Sequence, residues 1–226
     1  MRIKLWDLPI RLVHWSFVLL LPVLWWTAEE GKVDLHKTIG LIMLGLVAFR
    51  LLWGVFGSST ARFSSFVKGP GTVIAYVRGL RSGTSAPVVG HNPLGALSVI
   101  LLLALLAAQV SIGLFAQDVD GIESGPLSYL VSYETADAAR EVHEMVFDLI
   151  VVIVILHIAA IVYYLRAKKD NLVRPMITGS RDMPASVAAS VAAPIMAPMW
   201  RAIVCAVLAG ALAWWVSLGC PLPGSA

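Results

Sequence analysis

The chain has 226 residues, of which 58% are hydrophobic and 14% are charged, whereas soluble domains average about 25% charged residues. With a mean hydropathy of +0.82, it has too few polar side chains to cover the surface of a soluble fold. The composition also excludes a disordered or collagen-like chain, and two cysteines are too few for a disulfide scaffold. We therefore expect an all-α integral membrane protein made mainly of spanning helices.

Five apolar runs predict five membrane-spanning helices, because about 20 residues of helix cross a bilayer core. The runs are Leu12–Ala28, His36–Phe56, Leu94–Phe115, Leu149–Leu165 and Ala202–Cys220. None of them shows the alternation of apolar and polar residues that is typical of barrel strands. Between the second and third runs, Phe63–Leu80 mixes apolar and basic residues. That segment is either an interfacial amphipathic helix or a loop that turns at residues 69–71.

The charges are sorted by loop, which predicts the orientation of the chain in the membrane. The segment between the second and third runs carries four basic residues and no acid: Arg62, Lys68, Arg78 and Arg81. The loop before the fourth helix carries six acids: Asp118, Asp120, Glu123, Glu134, Asp137 and Glu141. Because basic loops stay in the cytoplasm, we expect the N-terminus inside and the C-terminus outside. The net charge of +3 does not indicate a nucleic-acid partner, because the basic residues are sorted by membrane side and do not form one patch.

Four of the five histidines lie in or at the ends of apolar runs, where ionisable residues are costly and usually functional. They are His14, His36, His143 and His157. His143 and His157 are 14 residues apart, so they share one helix face and are separated by about 21 Å along the axis. His14 lies at the level of His157, near the inner end, and His36 at the level of His143, near the outer end. Two such pairs can hold two haems in a six-coordinate, electron-transferring state.

Other metals and other haems fit this pattern less well. Structural zinc takes four ligands, whereas each level offers two histidines. Covalent c-type haem is excluded because the chain has no Cys-x-x-Cys-His motif. A metal-ion transporter that uses the same histidines is the alternative of a different class.

Four further residues are candidates for contacts with a cofactor, each with a structural alternative. Arg50 shares a helix face with His36 and lies about 21 Å inward, where it can pair with a haem propionate or extend to the inner surface. Arg11, three residues before His14, has the same two interpretations. His91 can compete with His14 as the inner ligand, or form a polar pocket with Asn92. Alternatively, this segment simply caps the third spanning helix.

Taken together, these residues resemble the bacterial cytochrome b561 and nickel-iron-hydrogenase cytochrome b family, which includes formate dehydrogenase gamma subunits. The resemblance covers about Leu5–Gly179 and rests on five segments. They are Arg11-Leu12-Val13-His14-Trp15; His36 with Gly40 and Arg50-Leu51-Leu52-Trp53-Gly54; Gly90-His91-Asn92-Pro93-Leu94-Gly95; His143-Glu144 with His157; and Asn171 through Gly179. It implies a four-helix bundle with two b-type haems, an inner one bound by His14 and His157 and an outer one bound by His36 and His143.

The resemblance also implies a function: electron transfer across the bacterial inner membrane between quinone and a partner redox protein. We expect quinone near the inner haem and residues 90–95, and a basic cytochrome c or a redox enzyme subunit at the acidic outer loops. The alternative within this class is the membrane-anchor cytochrome b subunit of a hydrogenase or dehydrogenase. The predicted organisation is a di-haem bundle at 1–179, a linker at 180–198, and a fifth spanning helix with a short outer tail at 199–226.

Overall fold

The computed structural model describes residues 1–82, 90–183 and 192–221, and most of its elements are helices. The elements in chain order are β1 (Arg2–Lys4), α1 (Leu8–Glu29), α2 (Val33–Phe56), α3 (Phe63–Phe66), α4 (Pro70–Ser82), α5 (Pro93–Gly113), a 3₁₀ turn (Ser128–Leu130), α6 (Tyr133–Arg166), α7 (Val173–Thr178), β2 (Ser180–Asp182) and α8 (Met199–Ser217). The predicted linker and outer tail include residues 184–191 and 222–226, which lie outside the described residues.

Five helices in the described part of the chain are long and apolar enough to cross a membrane: α1, α2, α5, α6 and α8. This confirms the predicted all-α membrane bundle with five spans. Helix α6 differs most from its apolar run, because its 34 residues begin at Tyr133 rather than Leu149. Its first turns are polar and are stabilised by Arg140, which pairs with Asp137 at 2.9 Å and Glu144 at 3.0 Å. Hydropathy does not detect such turns, so Glu134, Asp137 and Glu141 of the predicted acidic loop lie inside the helix.

The segment after α2 contains the amphipathic helix, which was one of the two alternatives from the sequence. Helix α4 begins at Pro70, whose fixed φ and missing N–H suit the first helical position. Residues 70 and 71 therefore lie in this helix rather than in a turn, and the short helix α3 before it ends at Phe66.

The chain forms two compact units, and each of the five spanning helices contributes residues to both. The first unit comprises Met1–Leu12, Leu51–Leu102 and Ile153–Ala202, and the second comprises Val13–Arg50, Leu103–Val152 and Ile203–Ala226.

In the first unit, the start of the chain is joined to the segment that follows α6. Strands β1 and β2 pair antiparallel, and Gly179 accepts backbone hydrogen bonds from Leu5 at 2.8 Å and Trp6 at 3.1 Å. Gly179 ends α7 with a φ of 78°, and a Cβ there would lie 2.9 Å from the Trp6 carbonyl oxygen. Only glycine allows this conformation and this approach together.

Trp53 and Gly54 are both closely packed in the first unit. Trp53 is 1% exposed and donates its Nε1–H to the Asp7 carboxylate at 3.0 Å. A Cβ on Gly54 would overlap the ring of Phe63, so the ring can pack here only because residue 54 has no side chain. Two residues that carry the family resemblance are thus explained by packing.

In the second unit, α8 packs on α2 through small residues, and the loop between α5 and α6 is tied to α2. A Cβ on Gly45 would lie 3.6 Å from the Cβ of Ala213, which is ordinary contact between closely packed helices. The loop between α5 and α6 contains a bridge between Gln117 and Ser124. Lys37 of α2 binds Glu123 of this loop at 2.7 Å, and this ion pair holds the loop against the N-terminal part of α2.

Candidate haem site

His36 of α2 and His143 of α6 meet in the second unit. Their ring centres are 6.2 Å apart and the ring planes are inclined by 78°. A bond from a metal to an imidazole nitrogen is about 2 Å long. Two imidazoles on opposite sides of one metal ion therefore have ring centres roughly 6 Å apart, once the distance from nitrogen to ring centre is added at both ends. The predicted outer pair is thus brought together at a separation that fits one bound iron.

The hydrogen bonds of the two rings leave the same nitrogen available on each. The Nδ1 of His36 lies 3.0 Å from the carbonyl oxygen of Leu24, and the Nδ1 of His143 lies 3.0 Å from that of Gln109. A carbonyl oxygen only accepts, so each Nδ1 must carry the proton and each Nε2 presents a lone pair. Histidines that bind metals are typically oriented in this way, by donating their other N–H to a carbonyl.

Gly113 of α5 provides the space in which the His143 ring lies. A Cβ at position 113 would be 2.8 Å from Cε1 and 3.1 Å from Nδ1 of this ring. Any side chain there would displace the ring from its place opposite His36. Gly113 is four residues after Gln109, so one face of α5 supplies both the hydrogen-bond acceptor and the space.

The two predicted inner ligands belong to different units, His157 to the first and His14 to the second. In the first unit, Nδ1 of His157 lies 3.3 Å from the hydroxyl of Ser98 on α5, which can either donate to this nitrogen or accept from it. In the second unit, His14 of α1 packs edge-on against Trp15, with 5.3 Å between the ring centres.

Asn92 caps α5, as one of the two predictions for this segment expected. Its Oδ1 accepts the N–H of Gly95 at 2.8 Å, and its Nδ2 donates to the hydroxyl of Tyr164 at 3.0 Å. His91 is packed between the rings of Trp6 and Phe66, with 4.6 Å to each ring centre. The planes of the two rings are inclined to the imidazole by 50° and 51°.

The two arginines are placed differently. Arg50 is 4% exposed, so its guanidinium does not extend to the surface of the protein. Arg11 donates through Nη1 to the carbonyl oxygen of Ile177. Its Nε is buried and has no hydrogen-bond partner among the described residues. A buried, unsatisfied donor of this kind fits an acidic group that is bound beside α1.

Four polar or small residues around the histidines were missed from the sequence: Thr27, Ser98, Gln109 and Gly113. A weak signal existed for Thr27, Ser98 and Gln109, because they are among the few polar residues in otherwise apolar runs, and polar groups at membrane depth need partners. Gln109 is 9% exposed, and its Oε1 is buried without a hydrogen-bond partner among the described residues. Gly113 gave no signal, since small residues in spanning helices usually serve helix packing.

The described residues give no support to a site for a bare metal ion, because no group of three or more His, Cys, Asp or Glu side chains converges in them. A paired site for a haem iron needs only two side chains, since the porphyrin supplies the other ligands. Five apolar helices with such an imidazole pair are the features of a membrane-embedded cytochrome b.

The comparisons with known proteins identify the family. The family model described as prokaryotic cytochrome b561 matches residues 5–179, which is most of the chain, and the chain therefore belongs to this family. It is a multi-pass membrane protein that binds b-type haem and transfers electrons across the membrane. No curated protein and no solved structure gave a match.

Proposed function

We propose that this cytochrome carries two haems, an outer one bound by His36 and His143 and an inner one bound by His14 and His157. The observation that carries the proposal is the separation of 6.2 Å between the rings of His36 and His143, with Nδ1 of each ring held by a backbone carbonyl. A bound haem would supply a one-electron Fe(III)/Fe(II) couple. The protein supplies ligation, burial and spacing.

The inner site is supported by three separate features. His157 is 14 residues from His143 on α6, which corresponds to about 21 Å along the helix. The hydroxyl of Ser98 lies beside Nδ1 of His157, and the buried Nε of Arg11 has a donor to offer. We assign Arg11 to a propionate of the inner haem. Arg50, which is buried on the face of α2 that carries His36, also has a propionate as its expected partner.

Quinone is the proposed small-molecule partner, near the inner haem and residues 90–95. The polar groups in this region are linked: Asn92 donates to Tyr164 at 3.0 Å, and Tyr164 is 2.9 Å from the hydroxyl of Tyr76. His91 adds an imidazole between two aromatic rings. Such a set can bind the oxygens of a quinone ring and exchange its protons.

The outer redox partner is proposed to be a basic cytochrome c or a redox enzyme subunit, which the acidic outer loops attract by charge. This requires the N-terminus to be in the cytoplasm and the C-terminus outside, in the bacterial inner membrane, as the basic inner loops predict. A stable complex with a hydrogenase or dehydrogenase would make the chain a membrane-anchor subunit. Affinity purification in mild detergent distinguishes these cases, because an anchor subunit copurifies with its catalytic partner in fixed stoichiometry.

The haem assignment is tested by haem content and low-temperature reduced-minus-oxidised spectra of single histidine variants. Wild type should contain two extractable haems per chain. His36→Ala and His143→Ala should lose the outer haem and keep the inner one, and His14→Ala and His157→Ala should do the reverse. If His91→Ala lost the inner haem while His14→Ala kept it, His91 would replace His14 as a ligand. One haem per wild-type chain would overturn the two-haem proposal.

The quinone site is tested separately by oxidation of a soluble quinol analogue. His91→Ala should keep both haems, but quinol should reduce these haems more slowly than in wild type. A chemical reductant should still reduce both haems in this variant. Unchanged quinol reactivity in both His91→Ala and Asn92→Leu would exclude residues 90–95 as the quinone site.

A further inference from the structure

We propose that Thr27 is a positioning residue that fixes the orientation and the protonation of His36 and thereby lowers the reduction potential of the outer haem. This inference rests on the proposed assignment of His36 as a haem ligand. Thr27 lies in the last turns of α1 and is completely buried. Its hydroxyl oxygen is 3.2 Å from Nδ1 of His36.

The role of the hydroxyl follows from where its single proton goes. Thr27 donates through Oγ1 to the carbonyl oxygen of Leu24 at 2.9 Å. Because that proton is committed, the hydroxyl can only accept from His36. Nδ1–H of His36 is therefore shared between two acceptors, the Thr27 hydroxyl and the Leu24 carbonyl, which lies 3.0 Å away. Both acceptors demand a proton on Nδ1, so they fix the tautomer in which Nε2 is free.

Two acceptors on Nδ1–H also change the electronic character of the ring. Hydrogen bonds from the non-ligating N–H of a histidine raise the basicity of the ligating nitrogen. A more basic ligand stabilises Fe(III) relative to Fe(II), so the reduction potential falls. The geometry of the pair of acceptors also fixes the ring plane, because the N–H direction lies in that plane.

A purely structural alternative exists, since threonine in a helix commonly bonds to the carbonyl three or four residues earlier. The chain contains a matched example in Thr38 of α2, which donates to the Asp34 carbonyl at 2.8 Å on the exposed side of the helix. Thr38 is two residues after His36 and makes the same kind of local bond. Thr38→Val is thus a control for the loss of such a bond in the same region.

The experiment compares Thr27→Val, Thr27→Ser and Thr38→Val in the haem-loaded, detergent-solubilised protein. Valine keeps the shape of threonine and removes the acceptor, whereas serine keeps the hydroxyl and removes a methyl group. Spectroelectrochemical titration gives the potential of each haem, and electron paramagnetic resonance reports the orientation of the axial ligands. His36→Ala, measured in parallel, identifies which signals belong to the outer haem.

Thr27→Val should raise the potential of the outer haem, shift its low-spin resonance and leave the inner haem unchanged. Its outer haem should also be held about tenfold more weakly, as is typical when a partner of a metal-binding histidine is removed. Thr27→Ser and Thr38→Val should resemble wild type. If Thr27→Val releases the outer haem altogether, retention in Thr27→Ser supports the proposal and loss in both overturns it.

Three other outcomes would overturn the role of Thr27. These are an unchanged outer potential in Thr27→Val, an equal shift of both haems, or a Thr27→Ser variant that behaves like Thr27→Val. Failure of the underlying haem assignment looks different, because His36→Ala would then retain both haems whatever the Thr27 variants do.

Discussion

At the scale of single residues, the orientation of His36 and His143 depends on neighbours that contribute only backbone atoms or space. The carbonyl oxygens of Leu24 and Gln109 select the tautomers of His36 and His143. Gly113 leaves room for one of the two rings. None of these contributions depends on a polar side chain. The contribution of Gly113 is tested directly by introducing a larger residue.

Gly113→Ala should reduce the occupancy of the outer haem and leave the inner haem in place. The added Cβ would lie 2.8 Å from Cε1 of His143, so the ring must move, at a cost of roughly 1–3 kcal/mol for such overpacking. Haem content and low-temperature spectra measure the effect. Gly210→Ala is the control, because a Cβ at position 210 meets nothing within 4 Å. Full outer occupancy in Gly113→Ala would contradict the packing argument.

Tyr76 should make the stability of the protein depend on alkaline pH. Burial, and then the hydrogen bond to Tyr164, raise the pKa of Tyr76 above its ordinary value. The phenol is therefore held neutral in the folded state, and this contribution to stability is complete below about pH 10, the pKa of an unperturbed tyrosine. It is lost as the pH rises from there through the folded pKa.

Tyr76→Phe should therefore be less stable than wild type at pH 8, and the difference should shrink above pH 10. Thermal unfolding in detergent at a series of pH values measures this. Tyr163→Phe, which alters an exposed ring, serves as the control for a general loss of a phenol. A constant difference across the whole range would show that ionisation of Tyr76 is not coupled to folding.

At the scale of elements, α8 lies beyond the segment that matches the family, residues 5–179. It packs with a seam of small and medium side chains: Ala202, Cys205, Ala209 and Val216, all buried. Cys205 is 3% exposed and packs here as a small apolar residue. In the second unit this helix meets α2 near Gly45, on the same helix as His36.

Removal of residues 199–226 should leave both haems in place and lower the temperature of unfolding. The four proposed ligands all lie in the family segment, residues 5–179, whereas the truncation exposes the surface of α2 that α8 covers. Haem content and thermal unfolding of the truncated protein, compared with full-length protein in the same detergent, measure the two effects. Loss of the outer haem on truncation would show instead that α8 helps to hold α2 in place.

At the scale of the whole molecule, five apolar helices place the two ends of the chain on opposite sides of the membrane if each one crosses it. Reporter fusions after residues 11 and 226 measure this directly. A fusion near the N-terminus should be active only with a cytoplasmic reporter, and one at the C-terminus only with a periplasmic reporter. Reporters that respond on the same side would mean that one of the five helices, with α8 the first candidate, does not span.

The class of protein, the number of spanning helices and the candidate histidines could all be predicted from the sequence. Hydropathy is averaged over many residues, so one unusual residue does not change the prediction of a spanning helix. The 14-residue spacing of His143 and His157 follows from helix geometry alone. The beginning of α6 was predicted wrongly, because its polar first turns are held by side-chain pairs that a hydropathy average ignores.

The groups that orient the histidines could be identified only from the packing of the helices. His36 and His143 are bonded by backbone carbonyls and a threonine that belong to other helices. Because every residue has a carbonyl, the sequence does not show which carbonyl lies beside a histidine. Likewise, Gly113 resembles any packing glycine until the ring of His143 is seen against it. The candidate ligands are side chains, so they can be recognised in the sequence. Their orientation depends on the distances between helices, which are set by packing.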